Sequence, residues 1–231
     1  MNVEEIIKQL INELIGISKS KSIHWNERYL HHRFSYLIQS KTDYKVHLSN
    51  EGSTFHPEWA TAIKKNDDND GNQFKEGGVY ALGEDGFYEP RENFDSGHAA
   101  WIDFALGDYM NPNYAVEFKM AEGMNTKGFA FDYMKLLDNR NTIKKVISLS
   151  VVYNRKMPLD KCNNKTNANP LKKSLEEVVS KLKVDENNKE FCFYVIQIYK
   201  GREPRMWKCD SLEKGFIEEK LKQEGNTWLY E

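Results

Sequence analysis

Three charged side chains stand inside two otherwise apolar segments of this sequence. Asp103 interrupts the segment AAWIDFAL, and Glu117 and Lys119 interrupt the segment NYAVEFKM. Charged residues are rare on the buried face of a strand unless they are paired or bind a metal ion. Two carboxylates that lie close together repel each other unless a cation lies between them. These residue types therefore indicate a site for a hard cation, Mg²⁺ above all.

The two segments are predicted to form an antiparallel β-hairpin that brings the three charges together. The stretch between them, GDYMNPN, is rich in Gly, Asn and Pro, which is typical of a turn. Strand side chains alternate between the two faces of a sheet. We therefore expect Asp103, Glu117 and Lys119 to share one face, and large apolar side chains such as Ile102 and Phe104 to share the other.

This arrangement suits the hydrolysis of a phosphodiester. A cation held by Asp103 and Glu117 would bind a phosphate and help to form hydroxide from water. Lys119 lies two residues from Glu117 on the same strand face, where it could orient that water or neutralise developing charge. The alternative is structural, with Glu117 and Lys119 forming an ion pair on a solvated sheet face.

The spacing of the three residues resembles the signature of the PD-(D/E)XK nuclease superfamily. Asp103 and Glu117 are separated by 13 residues, and Lys119 follows Glu117 after one residue. The resemblance implies that both acids and the backbone carbonyl of Phe118 hold Mg²⁺, for which Mn²⁺ can substitute, and that Lys119 is the catalytic lysine. Ile102 stands where the motif's name has proline, a position that varies widely in the superfamily.

Other polar residues flank the motif in the sequence. In many members of the superfamily an acidic residue on the helix before the sheet helps to hold the metal, and Glu27 is the candidate, with a solvated helix residue as the alternative. Asp132 and Lys135, on the helix after the hairpin, resemble polar residues of some related nucleases and could equally form a salt bridge at i, i+3. His31 and His32 are expected on different sides of their helix, as ordinary histidines.

The remaining pattern predicts an α/β fold with a mixed sheet flanked by helices. Apolar residues at helical spacing predict a first helix that ends near Gly16. They also predict a second helix over 25–40 that carries on one side Trp25, Tyr29, His32 or Arg33, Tyr36 and Leu37. A helix after the hairpin leads to the strand KKVISLSVVY, an order typical of a crossover with a parallel strand pair. The resemblance implies a restriction-endonuclease-like core with the order α-β-β-β-α-β.

Two further regions extend this core. Residues 50–98 are predicted to be an insertion or substrate-recognition region before the catalytic hairpin, containing the polar stretch KKNDDNDGNQFKEGG and a small hairpin around Glu84-Asp85-Gly86. Towards the C-terminus we expect a helix that starts at Pro170, a buried strand FCFYVIQIY and a last helix from Asp210 to Leu221.

Composition favours a single folded domain over residues 1–231. The chain is 39% hydrophobic and 13% aromatic, and no apolar run approaches the roughly 18 residues of a membrane span. Its three cysteines show no CxxC spacing, which favours a reducing cytoplasm and argues against a zinc site. A formal net charge of −2 argues against nucleic-acid binding by bulk charge. A basic stripe between Arg140 and Lys165 could still contact phosphates, or be ordinary solvated lysines.

Together these features predict a cytoplasmic, Mg²⁺-dependent endonuclease that hydrolyses DNA through a metal-activated water. The resemblance implies an enzyme of the type II restriction or defence kind that acts on double-stranded DNA as a homodimer. Two alternatives stay open. One is a repair, RNA or structure-specific nuclease of the same fold, and the other is a non-catalytic nucleic-acid-binding module.

Overall fold

The computed structural model describes residues 1–17, 26–46, 54–60, 80–90, 100–109, 111–154, 170–182, 184, 189–199, 203–225 and 227–231. The helices in these residues are α1 (Val3–Ile17), α2 (Glu27–Lys41), α3 (Thr126–Leu137) and α4 (Pro170–Ser180). The strands are β1 (Phe55–Ala60), β2 (Tyr80–Leu82), β3 (Tyr88–Pro90), β4 (Trp101–Gly107), β5 (Pro112–Glu122), β6 (Lys145–Asn154), β7 (Glu190–Tyr199), β8 (Arg205–Cys209), β9 (Ile217–Glu219), β10 (Lys222–Glu224) and β11 (Thr227–Leu229). None of these helices is long and apolar enough to cross a lipid bilayer.

Seven strands form one mixed sheet in the order β1-β4-β5-β6-β7-β8-β9. β4 and β5 form the predicted antiparallel hairpin, and β5, β6 and β7 are parallel neighbours. The other neighbours in the sheet are antiparallel. Helix α3 connects β5 to β6, as the sequence pattern predicts. The prediction of an α/β fold with a large mixed sheet and flanking helices is therefore confirmed.

Helices cover both faces of this sheet. Helices α1 and α2 pack with Phe104, Val116 and Phe118 in one buried cluster. Helices α3 and α4 pack with Ala105 and Ala115 in a second cluster on the opposite face. Adjacent residues of β4 and β5 thus enter different clusters, because strand side chains alternate. The hairpin is held between two helical layers.

Helix α1 follows its sequence pattern. Its apolar residues recur at helical spacing, and the predicted ones are all at most 1% exposed: Val3, Ile6, Ile7, Leu10 and Leu14. Burying each such side chain contributes roughly 1.5–3 kcal/mol. Packing of this stripe therefore stabilises the helix more than local propensity does.

Helix α2 corrects one prediction. The predicted side carried Tyr29, Tyr36 and Leu37. Leu37 is buried, but Tyr29 and Tyr36 are 42% and 62% exposed. The buried residues are Leu30, Phe34, Leu37 and Ile38. Aliphatic and phenyl side chains have no polar group to satisfy, whereas a buried phenol needs a hydrogen-bond partner. The helix is consequently rotated so that its tyrosines face solvent.

Part of the predicted insertion belongs to the main sheet. Strand β1, from within residues 50–98, pairs antiparallel with β4, so that Phe55 lies opposite Leu106. Strands β2 and β3 form the predicted small hairpin, with Leu82 opposite Tyr88. The polar stretch after β1 and the basic residues from Arg155 to Lys165 lie outside the described residues.

The predicted last helix, from Asp210 to Leu221, is wrong. A turn over 212–214 leads through Gly215 to strand β9, which pairs with β8. Gly215 has a φ of 64°, in the left-handed region that glycine adopts without steric cost. The open edge of β8 offers backbone hydrogen-bond partners to β9, which pairs with it from Met206 to Lys208. Tertiary pairing thus overrides a helical side-chain pattern.

Substituting Gly107 is expected to destabilise the hairpin. This residue has a φ of 113°, and a Cβ there would lie 3.0 Å from the backbone nitrogen of Asn113. Gly107→Ala should therefore lower the free energy of unfolding by about 1–3 kcal/mol. The matched control is Gly16→Ala in α1, where a Cβ would meet no described atom within 4 Å. That change should raise stability by about 0.5–1 kcal/mol. Urea unfolding followed by circular dichroism measures both, and equal shifts would contradict the expectation.

Candidate active site

The hairpin opens at the position of the sequence motif. The β4–β5 ladder reaches from the turn to the Phe104–Val116 pair, whereas β5 continues beside β6 as far as Glu122. Beyond Val116, the edge of β5 that faces β4 has no partner strand among the described residues. We call this opening the fork. Backbone groups left unpaired at such an edge must find other hydrogen-bond partners.

Carboxylates supply those partners. The Phe118 N–H donates to Asp103 Oδ2 at 2.7 Å, and the Met120 N–H donates to Glu27 Oε2 at 2.8 Å. In return, the Asp103 N–H donates to Glu117 Oε2 at 3.1 Å. Three of the predicted site residues, Asp103, Glu117 and Glu27, are thus gathered along one strand edge. Side-chain oxygens replace the missing backbone acceptors of a continued ladder.

Strand β4 is also irregular on its other edge. The β1–β4 register contains the pairs Pro57–Phe104 and Trp59–Ile102, but not the Glu58–Asp103 pair between them. Glu58 has a φ of 51°, which is unusual for a residue with a side chain. The prediction that Ile102 shares the face of Phe104 is wrong, because Ile102 packs in the cluster of α3 and Phe104 in the cluster of α2. Asp103 therefore lies where strand alternation is broken.

A second group of charges lies on the α3 side of the fork. The Nζ of Lys135 is 2.6 Å from Glu117 Oε1 and 3.2 Å from Asp132 Oδ1. Asp132 Oδ2 in turn accepts from Lys119 Nζ at 2.7 Å. We call Glu117, Lys119, Asp132 and Lys135 the charge cluster. Lys119 thus pairs with Asp132, and it is Lys135 that contacts the second acid of the motif.

Burial shapes the electrostatics of this cluster. Burial raises the pKa of Glu117 well above the ordinary range of a carboxyl, against the opposing effect of Lys135. Burial lowers the pKa of Lys135, but the carboxylates of Glu117 and Asp132 outweigh this effect and leave that pKa raised. The pKa of Lys119 is raised in the same way, mainly by Asp132. The two ammonium groups therefore stay charged, and Glu117 depends on a neighbouring cation to remain ionised.

His31, expected from the sequence to be an ordinary histidine, is a neighbour of Asp103. Its Nε2 lies 3.2 Å from Asp103 Oδ2, at ion-pair distance but without the geometry of a hydrogen bond. The ring packs edge-on against Phe104. The Asp103 carboxylate raises the pKa of His31, with burial opposing. His31 follows Glu27 by four residues on α2, so the i, i+4 spacing could have indicated that both reach the same site.

The oxygen atoms at the fork fit a hard divalent cation. Asp103, Glu117 and the Phe118 peptide are linked by hydrogen bonds of 2.7 and 3.1 Å. In an extended strand the N–H and C=O of one residue point to the same edge, so the Phe118 carbonyl also faces the fork. Mg²⁺ typically takes one or two carboxylates and completes its shell with water and phosphate oxygens. Among the described residues, no three His, Cys, Asp or Glu side chains are grouped to hold a metal ion by themselves.

No family model, no curated protein and no solved structure matches this chain. The fork and the charge cluster are therefore the features that bear on function.

Proposed function

We propose that this protein is a metal-dependent nuclease of the PD-(D/E)XK type that hydrolyses phosphodiester bonds in DNA. The observation that carries the proposal is the fork. Asp103, Glu117 and the Phe118 peptide converge there at an interruption of the sheet, and two lysines lie beside them. A buried Glu117 beside a partly buried Asp103, with lysines adjacent, is unusual in a purely structural sheet face, because each charge removed from water carries a desolvation cost.

The order of the elements supports the same proposal. Along the chain, α2 is followed by β1, β4, β5, α3 and β6, with the small β2–β3 hairpin placed between β1 and β4. With α1 and that hairpin set aside, this succession is compatible with the α-β-β-β-α-β core that the sequence resemblance implies. The motif lies on the second and third strands of the series, at the point where they separate.

Each residue of the fork has a distinct role in the proposed reaction. Asp103, Glu117 and the Phe118 carbonyl would hold Mg²⁺. When bound, the ion supplies positive charge to the phosphate and lowers the pKa of the attacking water. Lys119, whose side chain is 32% exposed, can turn its ammonium towards the phosphate and neutralise the charge that develops on it. Glu27 fixes the β5 edge through the Met120 N–H.

The reaction itself is a direct displacement at phosphorus. The water oxygen forms a new bond to phosphorus and loses a proton, while the bond from phosphorus to one sugar oxygen breaks. That sugar oxygen takes up a proton and leaves as a hydroxyl. One strand of nucleic acid thus becomes two, one of them ending in a phosphate monoester. We propose that the substrate is duplex DNA and that a homodimer cleaves it, as in restriction or defence enzymes. This part of the proposal rests on the sequence resemblance alone.

The direct test is metal-dependent cleavage by the full chain. Duplex DNA, single-stranded DNA and RNA are incubated with the protein in Mg²⁺ or Mn²⁺, and with EDTA in parallel. We expect cleavage of DNA in either metal and none in EDTA. Cleavage of RNA alone would support the same fold with a different substrate. A lack of cleavage of all three nucleic acids in both metals would overturn the proposal.

Replacing Lys119 separates catalysis from binding. Lys119→Met keeps the aliphatic stem of the side chain but removes the ammonium, so we expect cleavage to slow by about 100-fold or more. Binding of a labelled DNA in Ca²⁺, measured by fluorescence anisotropy, should change by less than about threefold. The control is Lys172→Met, a lysine on α4 that is 59% exposed, pairs with Glu176 and should cleave at the normal rate. If both variants keep full activity, Lys119 is not the catalytic lysine.

A further inference from the structure

The Nζ of Lys135 lies where three oxygen atoms from different elements converge. It donates to Glu117 Oε1 on β5 at 2.6 Å and to the Trp101 carbonyl on β4 at 2.7 Å. Asp132 Oδ1, on the same helix as Lys135, is 3.2 Å away. The Lys135 side chain is only 6% exposed. A cation is therefore enclosed by two carboxylates and one backbone carbonyl.

This environment is of the kind that a hard metal ion selects. Oxygen atoms from carboxylates and carbonyls are the preferred ligands of Mg²⁺ and Mn²⁺. A buried ammonium is costly unless its charge is matched, and here two acids match it. Glu117 is shared, because the carboxylate that would bind the metal ion at the fork already binds Lys135.

We propose that Lys135 is a built-in counter-cation that competes with the divalent metal ion for Glu117 and thereby sets the metal affinity of the site. The inference rests on the proposed function, which assigns Glu117 as a metal ligand. In the absence of metal, Lys135 neutralises the carboxylates of Glu117 and Asp132 in the charge cluster. When the metal ion binds, Glu117 must either contact both cations or give up its contact with Lys135. The positive charge of Lys135 therefore weakens metal binding.

A purely structural lysine makes the opposite prediction. If Lys135 only supported the fold, its removal would loosen the site and weaken metal binding, or leave it unchanged. If Lys135 competes with the metal ion, removing its charge leaves Glu117 and Asp132 facing a vacant cation position. Metal affinity then rises even though the metal-free protein becomes less stable.

The test measures Mn²⁺ binding to the full chain by electron paramagnetic resonance of the free ion. For Lys135→Gln, which keeps a hydrogen-bond donor but loses the charge, we expect at least about tenfold tighter binding than wild type, within the usual range of coupling between sites. Lys135→Arg keeps the charge and should bind with nearly wild-type affinity. Lys119→Gln, which removes a lysine that contacts Asp132 but not Glu117, should give a smaller increase.

The outcomes separate this inference from the proposed function. If wild type binds Mn²⁺ and Lys135→Gln binds it equally or more weakly, Lys135 does not compete and the inference is overturned. If neither protein binds Mn²⁺, the proposed metal site itself is overturned. Should Lys135→Gln be unfolded without metal, circular dichroism during the Mn²⁺ titration decides. Refolding at or below the wild-type dissociation constant supports the inference, and no refolding at saturating Mn²⁺ overturns it.

Discussion

Asp103→Asn should abolish metal-dependent cleavage while leaving the protein folded. The asparagine amide oxygen can still accept the Phe118 N–H that Asp103 Oδ2 accepts at 2.7 Å. The β4–β5 fork therefore keeps its hydrogen bond. The negative charge is lost, and with it the attraction for a divalent cation and for the water that the cation activates. We expect the cleavage rate to fall by at least about a thousandfold, or roughly 4 kcal/mol of transition-state stabilisation.

The measurement is the rate of plasmid cleavage in Mg²⁺, together with circular dichroism and Mn²⁺ affinity. Asp108→Asn is the matched control, since Asp108 lies on the turn of the same hairpin and its Oδ1 accepts the Asn111 N–H. That variant should cleave at the wild-type rate. When the Asp103→Asn variant is purified in the same way as the wild type, its residual activity also shows whether a contaminating nuclease is present. Full activity in a folded Asp103→Asn protein would remove Asp103 from the site.

Asp132→Asn should strongly destabilise the folded protein. Its carboxylate lies 2.7 Å from Lys119 Nζ and 3.2 Å from Lys135 Nζ, and its side chain is 8% exposed. Without the charge, two ammonium groups share the single carboxyl of Glu117 in a buried site. Removing one partner from a buried ion pair typically costs 3–5 kcal/mol, so we expect a loss of about 3 kcal/mol in the free energy of unfolding.

Urea unfolding followed by circular dichroism checks this prediction. The control is Asp210→Asn, which removes one carboxylate from an ion pair with Lys208 at 2.9 Å. Because Asp210 is 51% exposed, solvent screens that pair, and the change should cost less than about 1 kcal/mol. If the two variants lose the same small amount of stability, the charge cluster does not contribute measurably to the free energy of unfolding.

Much of the fold was accessible from local patterns. The spacing of apolar residues predicted α1, and the turn composition predicted the β4–β5 hairpin and the smaller β2–β3 hairpin. The order of hairpin, helix and strand predicted the parallel neighbours β5 and β6. These features depend on residues that are close in the sequence. Hydrophobic periodicity and turn residues therefore predict them directly.

The failures share a cause. The buried side of α2 and the strand in place of a last helix depend on what packs against each segment. A tyrosine and a phenylalanine are similar in a periodicity count, but only one of them carries a hydroxyl that must be satisfied when buried. Similarly, a capping pattern at Asp210 gives no information about the open edge of β8, which makes β9 a strand.

The candidate site also has a part that the sequence predicts and a part that depends on tertiary packing. The sequence by itself determined that Asp103, Glu117 and Lys119 stand on adjacent strands of a hairpin, because apolar strand segments and turn composition are local properties. Only the tertiary structure decided that the hairpin opens at Asp103 and that Glu27 and His31 reach this opening from α2. It also decided that Lys135 contacts Glu117, whereas Lys119 contacts Asp132. Those contacts join elements far apart in the chain, and their pairing follows from how buried charges must be neutralised within a shared core.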